Sequence, residues 1–198
     1  MHTSDRESFF ESASKGLTFI PLVNSWPADL ETPLSTWLKV GQGNPPGVLL
    51  ESVEGGETLG RWSVVASDPL WVATARGDCV IRKWRDGRSD ELKGNPFNTL
   101  REWLAPYRSK RIKGLPCLGQ LYGIWGYELI QWIEPKVSIY SRGKDDFPDG
   151  VWMFMDRVLI FDQVKRLINA ISYGDLTIHE SPHDAYEIAL QRSQDLKI

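Results

Sequence analysis

The sequence predicts an α+β fold, mostly antiparallel sheet with peripheral helices. Strand-like segments follow one another directly, without helices between them. The helical segments are few, and most open on a capping residue followed by proline. Neither a βαβ rhythm nor an internal repeat is present. The 198 residues are 41% hydrophobic and 25% charged, the balance of a globular chain, and residues 1–198 read as a single domain.

In chain order, Ser4-Asp5-Arg6-Glu7 has the S-x-x-E form of a capping box, so a short helix should follow with Phe9, Phe10 and Ala13 inward. Residues 17–23 are apolar and partly β-branched after Gly16 and read as a strand. Thr32-Pro33 pairs an N-cap with proline at the first helical position and starts a helix bearing Leu34, Trp37, Leu38 and Val40. After a Gly/Pro loop come strands at 48–53, 62–66 and 70–75. Residues 79–84 should pair with a later segment across Arg85-Asp86-Gly87. Asn95-Pro96 repeats the cap-plus-proline signal ahead of Leu100, Trp103 and Leu104. Residues 118–124 read as a glycine-containing strand and 127–133 as helical. Residues 153–161 and 166–172 alternate well and predict a long hairpin. Ser181-Pro182 caps a last helix carrying Ala185, Ile188, Ala189 and Leu196.

Net charge is −3 and the pI about 5.7, so nothing electrostatic points to nucleic acid or anionic lipid. The first 16 residues lack an apolar core, no run approaches the ~20 residues of a membrane span, and a cytoplasmic location is expected. Cys79 and Cys117 are read as buried reduced thiols. The nine tryptophans sit in apolar-patterned segments and read as core filling.

Several motifs fail on physical grounds. His179-Glu180-Ser181-Pro182-His183 matches H-E-x-x-H. A zinc site needs both histidines on one helix, however, and Pro182 breaks that helix. The glycines of residues 119–127 do not form G-x-G-x-x-G and are read as close strand packing. The basic run Arg108, Lys110, Arg111, Lys113 reads as a solvated loop, and Asp145, Asp146 and Asp149 as turn residues. What remains is Glu51-Ser52 at the end of an apolar strand, with Arg61 beyond a Gly-rich loop. These are an anion, a donor and a cation of the kind that binds a free amino acid. Glu51 and Ser52 are adjacent, so in a regular strand they point to opposite faces. Both reach one ligand only where the strand ends or bulges.

The segments Asp29-Leu30-Glu31-Thr32-Pro33-Leu34-Ser35, Leu49-Leu50-Glu51-Ser52 with Gly60-Arg61-Trp62-Ser63, Gly119 to Glu128, Phe147-Pro148-Asp149 and Phe161-Asp162 resemble, in order and spacing, motifs of the N-terminal region of anthranilate synthase component I. The departures are Trp62 for tyrosine, Gln120 for glycine and Gln163 for histidine. The resemblance implies an enzyme that converts chorismate to anthranilate with ammonia from a glutamine amidotransferase subunit, component II. Mg²⁺ and catalysis would belong to a C-terminal chorismate-binding domain, which this chain is expected to lack. No cofactor is expected in this chain, and alone it is expected to be inactive. The region resembled binds L-tryptophan as feedback inhibitor, and the matching positions are Pro33, Glu51, Ser52 and Arg61. The paralogous aminodeoxychorismate synthase component I, or a non-catalytic tryptophan-binding module, would share this pattern. Glu51 favours the anthranilate enzyme.

Overall fold

A computed structural model describes residues 6–42, 46–51, 60–116, 119–137 and 147–196. The chain forms two compact units. The first comprises Met1–Pro69, Pro106–Gly119 and Met155–Ile198; the second comprises Leu70–Ala105 and Gln120–Phe154.

The first unit holds a five-stranded antiparallel sheet. Its strands are β1 (Phe19–Pro27), β2 (Gly47–Leu50), β3 (Trp62–Ser67), β9 (Arg157–Asp162) and β10 (Leu167–Asp175), in the order β1-β10-β9-β3-β2. Helices α1 (Arg6–Ser14), α2 (Pro33–Val40) and α4 (Pro182–Gln194) belong to the same unit. Phe9 of α1 and Ala185, Tyr186 and Ala189 of α4 bury Ile20 and Leu22. A second cluster joins Val65, Leu159, Phe161, Ile168 and Ala170 to Leu196, with Trp37 and Val40 of α2 against it. Burial of this apolar area drives the packing. Two buried polar groups on the same face find partners on α4: Ser172 donates to the Ala189 carbonyl and Asn24 to Ser193.

The second unit holds the other sheet, also antiparallel, in the order β6-β5-β4-β8-β7. Its strands are β4 (Trp71–Arg76), β5 (Cys79–Trp84), β6 (Ser89–Lys93), β7 (Leu121–Trp125) and β8 (Gly150–Phe154). Helix α3 (Pro96–Leu104) packs on β5. Trp71 and Trp152 are fully buried, and Arg82 lies over Trp103 and Trp84 at 4.4 and 4.6 Å while bonding Asp90 bidentately. Of the nine tryptophans, Trp71, Trp103 and Trp152 are core residues, Trp125 is exposed and the other five are half-buried.

The α+β class, the caps at Thr32, Asn95 and Ser181, and the hairpin across residues 85–87 are as expected. Other elements differ. The long hairpin is correct only in its second half. Residues 153–161 are two strands, β8 in one sheet and β9 in the other, because the chain breaks at Met155-Asp156. There the Phe154 carbonyl accepts from Leu70 N at 2.8 Å, and the buried Asp156 accepts from Arg192 at 2.9 Å. Strand β1 runs four residues past the expected end at 23, since Asn24 to Pro27 continue the register on β10. On α2 the buried residues are Pro33 and Thr36, while Leu34 and Leu38 are exposed. The 127–133 segment is a short 3-10 helix (Tyr127–Trp132). The capping serine Ser4, together with Val53 and Cys117, lies outside the described residues. Cys79 is half-buried, not fully buried.

Candidate functional site

Two antiparallel strands bring the predicted residues to one end of the first sheet. β2 pairs with β3 through Leu50↔Val64. Glu51 is the next residue after β2 and is exposed; Arg61 immediately precedes β3. An antiparallel pair thus brings Glu51 and Arg61, with nine residues between them in the sequence, to the same end of β2 and β3. Pro33 is buried at the first turn of α2, which packs on β2 and β3. The Thr32 hydroxyl accepts from Ser35 N at 3.0 Å and Ser35 answers the Thr32 amide at 2.9 Å, so the capping box fixes this turn. Ser52 lies outside the described residues.

Arg61 has a partner that the sequence reading did not assign. Its Nε and Nη2 donate to the two oxygens of Asp162 at 3.1 and 2.8 Å, a bidentate pair, and its guanidinium lies 4.5 Å from the Trp62 ring centre. Asp162 is buried and ends β9. It also accepts from the amides of Val164 at 3.2 Å and Lys165 at 3.1 Å, which shapes the β9–β10 turn. Burial alone pushes this carboxyl up. The Arg61 bond and the two turn amides outweigh burial and hold it below the usual aspartate value. Arg61 is in turn held above its ordinary value by the hydrogen bond to Asp162. The next residue, Gln163, donates its amide to the Arg61 carbonyl at 2.9 Å and its side chain to Ser63 at 3.3 Å. Phe161-Asp162 stands in the sequence as a motif about 100 residues from Arg61. Only the strand register Trp62↔Asp162 joins the two.

The two histidines of the H-E-x-x-H motif do not share a helical face. His179 precedes α4 and His183 occupies its first turn, bonded to the Ser181 cap. Among the described residues, no three His, Cys, Asp or Glu side chains gather into a metal site. At Gly123 a Cβ would meet the Val151 carbonyl at 2.2 Å and Trp152 Cδ1 at 2.6 Å; at Gly150 it would meet the Trp152 ring at 2.5 Å. These glycines exist for close strand packing.

The fold, two antiparallel five-stranded sheets with few helices, is shared with a solved protein described as anthranilate synthase component I from Streptococcus pneumoniae. The TM-score is 0.52 at 22% identity, over 86% of this chain and 35% of the other. No family model matches the sequence. Curated relatives named anthranilate synthase component 1 match nearly all of it. The Synechocystis protein is 49% identical over 169 residues, 85% of this chain and 33% of the relative. The Pseudomonas aeruginosa protein is 33% identical over 196 residues, 97% of this chain and 39% of the relative. The chain is therefore homologous, over most of its own length, to anthranilate synthase component 1, and it spans about a third of the curated relatives it matches.

Proposed function

We propose that this chain is the tryptophan-binding, regulatory part of an anthranilate synthase component 1, an enzyme of tryptophan biosynthesis that makes anthranilate from chorismate. The 49% identity to the Synechocystis relative supports the family part of this reading. The meeting of Glu51 and Arg61 at one end of β2 and β3 supports the place of the amino-acid site.

In this reading the Glu51 carboxylate holds the ligand ammonium and Ser52 donates to the ligand. Asp162 fixes the Arg61 guanidinium in one orientation through Nε and Nη2, and the remaining N–H donors face the ligand carboxylate. Pro33, at a turn locked by the Thr32–Ser35 box, supplies a rigid wall. Chorismate chemistry and Mg²⁺ belong to the part of the relatives that this chain does not span, where the amidotransferase component II supplies ammonia. A cytoplasmic location accords with this pathway, and no helix of the described residues is long and apolar enough to cross a membrane.

Inhibition requires tryptophan to prefer one state of the whole enzyme, since a ligand with equal affinity for both shifts nothing. Calorimetry with L-tryptophan on the chain joined to the catalytic part of a relative tests the reading. Glu51→Gln should cost about 2–5 kcal/mol of binding, because it leaves a desolvated ammonium without its partner. Ser52→Ala should cost about 0.5–1.5 kcal/mol, a neutral hydrogen bond. Unchanged affinity in Glu51→Gln removes Glu51 as anchor. Absence of tryptophan binding in the wild type removes the regulatory role.

A further inference from the structure

The basic run of residues 108–113, expected to be a solvated loop, borders a cavity. Residues 107–115 run beside edge strand β1, tied by the Thr18 and Phe19 amides to the Arg108 carbonyl and by Tyr107 packed edge-on to Phe19. Two cavities open between this segment and the sheet, one of about 310 Å³ and one of about 570 Å³. Both are lined by Val23, Ile112 and Lys113, so they form one trough.

Its chemistry is one-sided. Lys110, Arg111, Lys113 and Lys165 line it, and none of them forms an ion pair among the described residues. Lys110 is held by two neutral hydroxyls, Ser12 at 2.7 Å and Ser8 at 3.1 Å. Glu11, close enough to feel Lys110, is bound by Lys15. The acid lining the larger cavity, Asp162, has both oxygens taken by Arg61. The trough therefore carries uncompensated positive charge on a chain that is acidic as a whole. Val23, Ile112, Leu115 and Leu167 give it apolar walls. Its floor is a hydrogen-bonded pair, Ser25 to Asn169 at 2.8 Å, with Asn169 donating in turn to the Ile160 carbonyl at 3.3 Å. Volume and lining suit a small molecule.

We propose that this trough binds a small organic dianion, two carboxylates on an apolar frame, at a site whose lining includes neither Glu51 nor Arg61. Lys113 stands where the cavities join and Lys165 lines only the larger one, so the two lysines meet the two carboxylates while the aliphatic walls cover the frame. Calorimetry on the 198-residue chain at about 150 mM salt, where long-range attraction is screened, tests this with phthalate as probe. Phthalate should bind, and benzoate, with one carboxylate, should bind about tenfold more weakly or worse. The double variant Lys113→Ala/Lys165→Ala should lose at least about tenfold in phthalate affinity. Lys83→Ala/Lys93→Ala, two exposed lysines of the second unit, should leave it unchanged. Absence of phthalate binding, equal binding of benzoate, or an equal loss in the Lys83/Lys93 control would overturn the proposal. Pyrophosphate binding more tightly than phthalate would also overturn it, since charge alone would then suffice.

Discussion

The two sheets have the same number of strands and spend their apolar residues differently. In the first unit, helices α1, α2 and α4 cover one face, and β9 and β10 are buried almost throughout. Among the described residues the second unit has one α-helix, α3, and its edge strand β7 and the segment that follows expose Ile124, Trp125, Tyr127 and Ile133. In the first unit the Ser172 hydroxyl and the Asn24 amide find partners on α4. Each unit also buries polar atoms without a partner among the described residues: the Thr36 hydroxyl in the first, and the Tyr122 hydroxyl and the Trp132 and Trp152 indole N–H groups in the second. Burial alone raises the Tyr122 hydroxyl far above its ordinary value. The contrast lies in what covers each sheet: helices in the first unit, large aromatic rings such as Trp71 and Trp152 in the second.

The largest expected effect lies in the second unit. Trp152→Ala removes a buried side chain against which Gly123, Gly150 and Trp125 pack, and should cost about 3–5 kcal/mol. Hydrogen exchange should show lost protection on β4, β7 and β8, while β1 and β10 keep theirs. Equal loss in both sheets would mean that the two units unfold as one and would break the contrast.

A smaller effect is expected from Asp162→Asn in the first unit. It weakens a charge-assisted bidentate pair and should cost about 1.5–3 kcal/mol at neutral pH. The sign of its pH dependence follows from the carboxyl, whose value in the folded chain lies below that of an ordinary aspartate. Its contribution is complete above the ordinary carboxylate range and is lost as pH falls through the folded-state value. The stability gap between wild type and Asp162→Asn should therefore stay constant above about pH 5 and close under acid, measured by urea unfolding across pH. A gap that widens on acidification would show that the pair does not hold the carboxylate charged.

Tyr122→Phe should have the smallest effect and the opposite sign. Deleting a buried hydroxyl without a partner removes a desolvation penalty, so the variant should equal or exceed wild type by about 1 kcal/mol in denaturant unfolding. Destabilisation by that amount would mean the hydroxyl does have a partner in solution.

Local signals in the sequence located the caps, since Thr32-Pro33, Asn95-Pro96 and Ser181-Pro182 act within one helical turn. The hairpin across residues 85–87 was legible for the same reason. The break at Met155-Asp156 was not. An apolar run reads the same whether it feeds one sheet or two, and the chain changes sheets because Leu70 and Arg192, distant in sequence, bind its two sides. Strand β1 was cut short because Asn24 and Ser25 look like the end of a strand until Ser193 and Asn169 satisfy them. The outward Leu34 and Leu38 show the same limit, since helical spacing cannot say which face meets a sheet.

By itself the sequence determined the α+β class and the break that Pro182 puts into the H-E-x-x-H motif, because residue type and short-range spacing decide both. Tertiary structure alone decided that Asp162 orients Arg61 and that an isolated-looking basic loop borders a cavity with no acid free to answer it. Both depend on pairing between segments about 50 to 100 residues apart. Strand register and buried charge compensation act through space, so nothing in the local sequence encodes them.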